Sequence, residues 1–236
     1  MRNTMFQTLV LFSSLFGFSF TVLAVPQPNA REAALNGVWQ LAEPVANPLL
    51  SVGGKVPPLN EAGKVLYQQR RTLLEKGDSS FDLSLNCKPI GFPRALWDGS
   101  PFDIQVQNNL VFFGYTFNRN HRIVDFDEAP PEPQIPRYYG TSTAQWDGDT
   151  LVVQSAMYNT NTMLDASGLP ISEELFIIER YRPFDEAKKL EVNLQLDDPT
   201  YYSAPWNVKL VFERVPNGRI KEDVCQERSE FYKDLL

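Results

Sequence analysis

The sequence predicts a mainly β protein, an antiparallel meander of about eight to ten strands closed into a calycin-like barrel, with two packed sheets as the alternative. Three observations predict it. From Phe102 onward, apolar and polar residues alternate with period two. The runs are separated by tight-turn sequences: Asn108-Asn109, Asp147-Gly148, Asp185-Glu186 and Pro216-Asn217-Gly218. All 18 prolines fall after residue 24 and divide the chain into short elements.

Arg2 precedes an uncharged stretch rich in Leu, Val and Phe that ends in Val22-Leu23-Ala24. This is the pattern of a secretory signal over residues 1–24, cleaved after Ala24, leaving no membrane span. The residue immediately after that point is Val25 and not cysteine, which excludes a lipoprotein anchor. The expected location is periplasmic or secreted. In an oxidising compartment Cys87 and Cys225, the only cysteines among 236 residues, are expected to pair.

Residues 25–236 read as one barrel domain whose N-terminal arm, 25–58, is irregular apart from a short strand at Gly37–Leu41. Asn60 caps a helix near 60–76: Ala62, Val65, Leu66, Gln69 and Leu73 share a face, and Gly77 ends it. The strands follow. Phe102, Ile104 and Val106 alternate with polar residues and turn at Asn108-Asn109 into Leu110–Phe117. That second run is apolar on both faces, which predicts that the helix packs outside it. His121–Phe126 is the next strand. Residues 127–136, acidic and proline-rich, form a stiff connection or lid. Further pairs are Ser142–Trp146 with Thr150–Met157, Leu175–Tyr181 with Leu190–Leu196, and Trp206–Val215 with Ile220–Cys225. Leu190, Val192, Leu194 and Leu196 form one face of their strand, and Glu191, Asn193 and Gln195 the other, so one side is buried and one wet.

Several stretches together resemble a large family of uncharacterised secreted bacterial proteins, mostly from Gram-negative genomes. They are Gly37-Val38-Trp39, Cys87-Lys88-Pro89-Ile90-Gly91-Phe92-Pro93-Arg94, Trp146-Asp147-Gly148-Asp149-Thr150-Leu151-Val152-Val153, Leu164-Asp165, Glu179-Arg180-Tyr181, Asp198-Pro199 with Tyr202 and Pro205-Trp206, and Cys225. The resemblance covers most of residues 25–236 and implies secretion but no reaction. Two positions depart from it: Thr141 and Ile171 stand where the family pattern has histidine.

Composition narrows the chemistry. A net charge of −7 suits neither nucleic acid nor another polyanion. One histidine and two cysteines are too few for zinc-finger, iron–sulfur or multi-histidine sites, so no metal and no cofactor is expected. The acidic pairs, Asp147/Asp149 among them, read as turn chemistry and not as a calcium loop. Gly140-Thr141-Ser142 has neither the preceding strand nor the downstream histidine of a nucleophile elbow.

Two function classes remain, with an envelope interaction module as a third. The first is a barrel that binds a small hydrophobic or aromatic molecule in an apolar pocket. Arg180, Trp206, Arg94 and Asn159 are its candidate ligand contacts, and residues 127–136 and the aromatic corner 198–206 gate it. The second is a lyase- or isomerase-type enzyme moving a proton on such a compound. Glu179 or Asp165 is then the base, Tyr202 or Arg180 holds the developing oxyanion, and His121 is a further acid–base candidate. Glu179 and Arg180 follow an apolar run, so one of them points inward and needs a partner or ligand.

Overall fold

The computed structural model describes residues 29–43, 57–126, 135–225 and 227. Residues 1–24, expected to be a secretory signal, much of the 25–58 arm and all but the last two residues of the 127–136 connection lie outside the described residues. No helix among the described residues is long and apolar enough to cross a membrane.

The arm is more regular than its composition implies. Asn29 caps a short helix, α1 (Ala30–Leu35): its side chain accepts from the Glu32 N–H while Glu32 reaches back to the Asn29 N–H. Strand β1 (Gly37–Leu41) follows. The second helix, α2 (Glu61–Glu75), starts at Asn60, whose side chain accepts from the Gly63 N–H.

Eight further strands complete the sheet: β2 (Phe102–Gln107), β3 (Leu110–Tyr115), β4 (His121–Phe126), β5 (Thr141–Asp147), β6 (Thr150–Ala156), β7 (Phe176–Phe184), β8 (Lys189–Asp197) and β9 (Trp206–Arg214). They close in sequence order into a nine-stranded barrel, which excludes the two-sheet alternative. β1 makes the closure by pairing with β2 through Gly37–Trp39 and with β9 through Trp39–Leu41, so neither keeps a free edge there. Asn108 and Asn109 both take positive φ in the β2–β3 turn, as that hairpin geometry demands.

Three expectations need correction. The meander is not wholly antiparallel, because β4 and β5 pair in parallel. After β4 the chain crosses to the other end of the barrel before β5 begins, so both strands run the same way. The segment Ile220–Val224 is not a strand, since β1 already occupies the edge of β9 that it needs. Nor does α2 cover β3. It seats on the 165–170 and 199–203 segments: Tyr67 Oη lies 3.2 Å from Ser167 Oγ, and Arg70 donates to the Gly168 carbonyl. Gly63 lies so close to the Tyr201 carbonyl that a Cβ has no room. Leu110 and Phe112 therefore stay 39% and 38% exposed on the outer face of β3.

The interior positions of the strands are filled by Trp39, Phe102, Phe113, Leu194, Phe212 and their neighbours, which form one cluster. The segment 83–97 closes one end as a plug. Phe92 N–H bonds the Tyr138 carbonyl, Trp97 Nε1 bonds the Leu164 carbonyl, and Arg94 clasps Asp82 through both nitrogens at 2.9 and 3.0 Å. A disulfide joins Cys87 of this plug to Cys225.

On the outer face of β8, Glu191 accepts from Arg182, Asn193 and Lys209. Burial alone raises its pKa from the ordinary 4.5, but the bonds from Lys209, Arg182 and Asn193 outweigh that and hold it at about 2. A depressed native pKa means that the stabilisation is present above the unfolded value and is lost as pH falls from 4.5 toward about 2. Glu191→Gln is expected to lower the urea midpoint at pH 7 and to flatten its decline across that window. A decline as steep as that of the parent protein would contradict this assignment.

Candidate functional site

Arg122 of β4 and Glu179 of β7 face each other inside the barrel, with the walls of β5 and β6 between their strands. Arg122 is in phase with the inward Val124 and Phe126, and Glu179 with the inward Ile177 and Tyr181. The guanidinium donates through Nη1 and Nη2 to the two carboxylate oxygens, at 2.7 Å each. Ser155 Oγ donates to Oε1 at 2.7 Å, and Tyr181 Oη to Oε2 at 2.5 Å. Phe92 from the plug and Phe113 from β3 lie 4.3 and 4.6 Å from the guanidinium carbon. Burial alone lowers the Arg122 pKa, and the facing carboxylate reverses this and raises it. The guanidinium therefore keeps its charge and faces the Glu179 carboxyl group across both bonds.

Around this pair lie several buried polar atoms. Among the described residues, five buried side-chain polar atoms lack a hydrogen bond: the hydroxyls of Tyr115, Tyr139 and Tyr158, Nε of Arg122 and Nε1 of Trp206. Four of these belong to the ion pair's surroundings. Tyr115 and Tyr158 both sense the charges of Arg122 and Glu179, with looser contacts from Tyr115 to Arg122 and from Tyr158 to Ser155, and Tyr139 senses Tyr115, Asp98 and Arg122. Burial pushes all three phenols well above their ordinary pKa, so each keeps its proton as a donor. Tyr115 and Tyr139 stack with ring centroids 5.0 Å apart. Gly140, at φ +67°, lets the chain pass the Tyr158 ring, which a Cβ would approach to 2.9 Å. A buried polar group without a partner costs about 1–3 kcal/mol.

A cleft of about 300 Å³ includes Arg122 and Tyr139 in its lining, with Pro89, Asn120, His121, Ile123, Arg137, Tyr138 and Gly140. It exists because β4 and β5 pair only at Asp125↔Thr143 and Phe126↔Ala144, leaving His121–Val124 without a β5 partner. The seam in the wall thus leads toward Arg122 and Tyr139, which form part of the lining. A larger groove of about 850 Å³ runs along α2, past Lys64, Val65, Gln68 and Gln69, but these side chains are exposed and present no buried donor.

The residues singled out in the sequence are scattered. Glu179 is the inward member of its pair with Arg180. Arg180 points outward to Asp147 at 3.0 Å, which corrects its assignment as a pocket anchor, because alternation along β7 allows only one of the two inside. Asp165 accepts from the Ser167 and Leu169 N–H groups and from the Ser167 hydroxyl, closing a turn under α2. Tyr202 donates to the Pro170 carbonyl and lies 4.2 Å from the Trp206 ring, so the two fill the corner themselves. Burial, then the nearby Asp198 and Asp165, raise the Tyr202 pKa. His121 is exposed, stacks on Phe112 at 5.8 Å and lines the outer cleft. Arg94 is held by Asp82 in the plug, and Asn159 accepts from the Asn161 N–H in a loop. Thr141 faces away from the lumen that its neighbour Ser142 enters, and Ile171 is buried.

Glu179 and His121 are thus the sequence candidates that reach the site, from inside and outside respectively. Arg122, Ser155, Tyr115, Tyr139, Tyr158 and Tyr181 were missed. Arg122 carried a readable signal, its phase with Val124 and Phe126. Tyr139 and Tyr158 lie in irregular segments where no periodicity speaks. Among the described residues, no cluster of His, Cys, Asp and Glu could hold a metal ion. The chain matches no family model, and no curated protein matches it.

Proposed function

We propose that the protein is a periplasmic or secreted barrel that binds a small hydrophobic or aromatic molecule in the cleft at the β4–β5 seam. One observation carries this reading: the buried Tyr139 hydroxyl has no hydrogen-bond partner and lines the cleft together with Arg122. Its volume lies at the small end of the range for ligand sites. Pro89, Ile123 and Tyr138 supply apolar wall. The Cys87–Cys225 disulfide supports the oxidising compartment.

Catalysis by proton transfer fits less well. A general base needs a free lone pair facing substrate. Glu179 already accepts from Arg122, Ser155 and Tyr181, and Asp165 is committed to its turn.

Native mass spectrometry of protein exported to a periplasm is expected to show a small organic adduct that is lost on denaturation. Compounds that bind at about 100 times Kd should raise the melting temperature by about 5–10 °C. Ile123→Trp, at a half-exposed position in the cleft wall, should abolish both effects while leaving the ligand-free melting temperature within about 2 °C. Protein that carries no adduct and that no compound of a small-aromatic panel stabilises would overturn the proposal.

A further inference from the structure

We infer that the buried end of the ligand is an uncharged acceptor oxygen, such as the carbonyl of an aromatic ketone, and not a carboxylate or phosphate. This rests on the binding reading above and adds the charge class of the ligand.

The argument starts from what the cluster offers. The Tyr139 hydroxyl in the cleft lining is buried and has no hydrogen-bond partner, whereas the Tyr115 hydroxyl lies in contact with Arg122 and the Tyr158 hydroxyl with Ser155. A group that satisfies Tyr139, whose phenol keeps its proton, must accept a hydrogen bond. Its charge is limited by what already stands there. The Arg122 cation is matched by Glu179 through two 2.7 Å bonds, both groups being almost wholly buried at 3% and 0% side-chain exposure. A ligand carboxylate would be a second anion facing one guanidinium, in a site whose walls are Phe92, Phe113 and tyrosine rings. Such a buried charge lacks a counter-charge and carries a desolvation cost that its hydrogen bonds do not offset. Arg137 is the other cation of the cleft lining, but it is exposed at the mouth and already solvated. A carbonyl oxygen accepts from Tyr139 without adding charge, and such a bond is stronger in a buried site than in bulk water.

The test uses three molecules of nearly the same shape: acetophenone, benzoate and α-methylstyrene, titrated by calorimetry and ligand-observed NMR. Acetophenone is expected to bind at least about 10-fold more tightly than either of the others, because each of them loses or mismatches the buried hydrogen bonds. Its carbonyl stretch should fall below the value in water when bound, as seen by infrared difference spectra of the carbonyl-¹³C compound. Tyr139→Phe should weaken acetophenone about 5- to 10-fold and leave α-methylstyrene unchanged, a split that a merely structural role for Tyr139 does not produce. Benzoate binding as tightly as acetophenone would overturn the inference and leave the cleft reading standing. So would a carbonyl band that does not move, or equal losses for acetophenone and α-methylstyrene in Tyr139→Phe. Binding of none of the three, together with an unchanged melting temperature across the aromatic panel, would overturn both.

Discussion

Arg122→Met is expected to destabilise the protein by about 3–5 kcal/mol, a fall in melting temperature of about 10 °C. The cause is not the loss of attraction as such. Met fills much of the same space and its thioether suits the Phe92 and Phe113 rings that now hold the guanidinium. What remains is Glu179, fully buried, with its two strongest donors removed and only Ser155 and Tyr181 to solvate it. Adding Glu179→Gln should recover more than half of the loss, because a neutral amide carries no uncompensated charge, its oxygen accepts from one of Ser155 and Tyr181 and its NH2 donates to the other hydroxyl. Equilibrium unfolding in urea of the two single variants and the double variant gives the coupling directly. A single-variant loss below about 1 kcal/mol would mean that the carboxylate does not depend on the guanidinium, and the central pair would lose its place in this account.

The same pair shows how far the sequence could be read. Turn residues and period-two runs located the strands because hairpins are local: Asn108-Asn109 and Asp147-Gly148 set their own registers. Closure was legible too, since a long meander must hide its edges. The parallel step between β4 and β5 was not, because nothing local in residues 127–136 says to which end of the barrel the chain returns. The misplacement of α2 has a similar origin. Two-sided apolarity of Leu110–Phe117 was taken to need a cover, whereas Phe112 stacks on His121 and otherwise stays half open. For the site, periodicity shows which residues point inward but not which of them meet. Glu179 visibly needed a partner, and its neighbour Arg180 was the nearest candidate in sequence. The true partner lies 57 residues away on a strand that is not adjacent in the sheet, brought there only by the curvature of the wall.

Cys87→Ser with Cys225→Ser is expected to cost about 5 kcal/mol, the chain-entropy value for a loop of this size, from which any native strain subtracts. The bridged residues are 138 apart, so the cross-link spans every strand from β2 to β9. Both cysteines are only half buried, and their replacement opens no large cavity. The folded-state contacts beside the bridge also survive: Asn118 N–H still reaches Asp223, its side-chain amide still reaches the Cys87 carbonyl position, and Arg119 still pairs with Glu222 at the surface. The loss must therefore arise in the unfolded chain, which expands when the tie is cut. This separates the disulfide from the Arg122 prediction in a measurable way. Removing the bridge should lower the urea midpoint and also steepen the denaturant dependence, because more surface is exposed on unfolding, whereas Arg122→Met should lower the midpoint at constant slope. A small loss at unchanged slope in the cysteine variant would show that the unfolded chain is already compact without its cross-link, and the entropy account would fail.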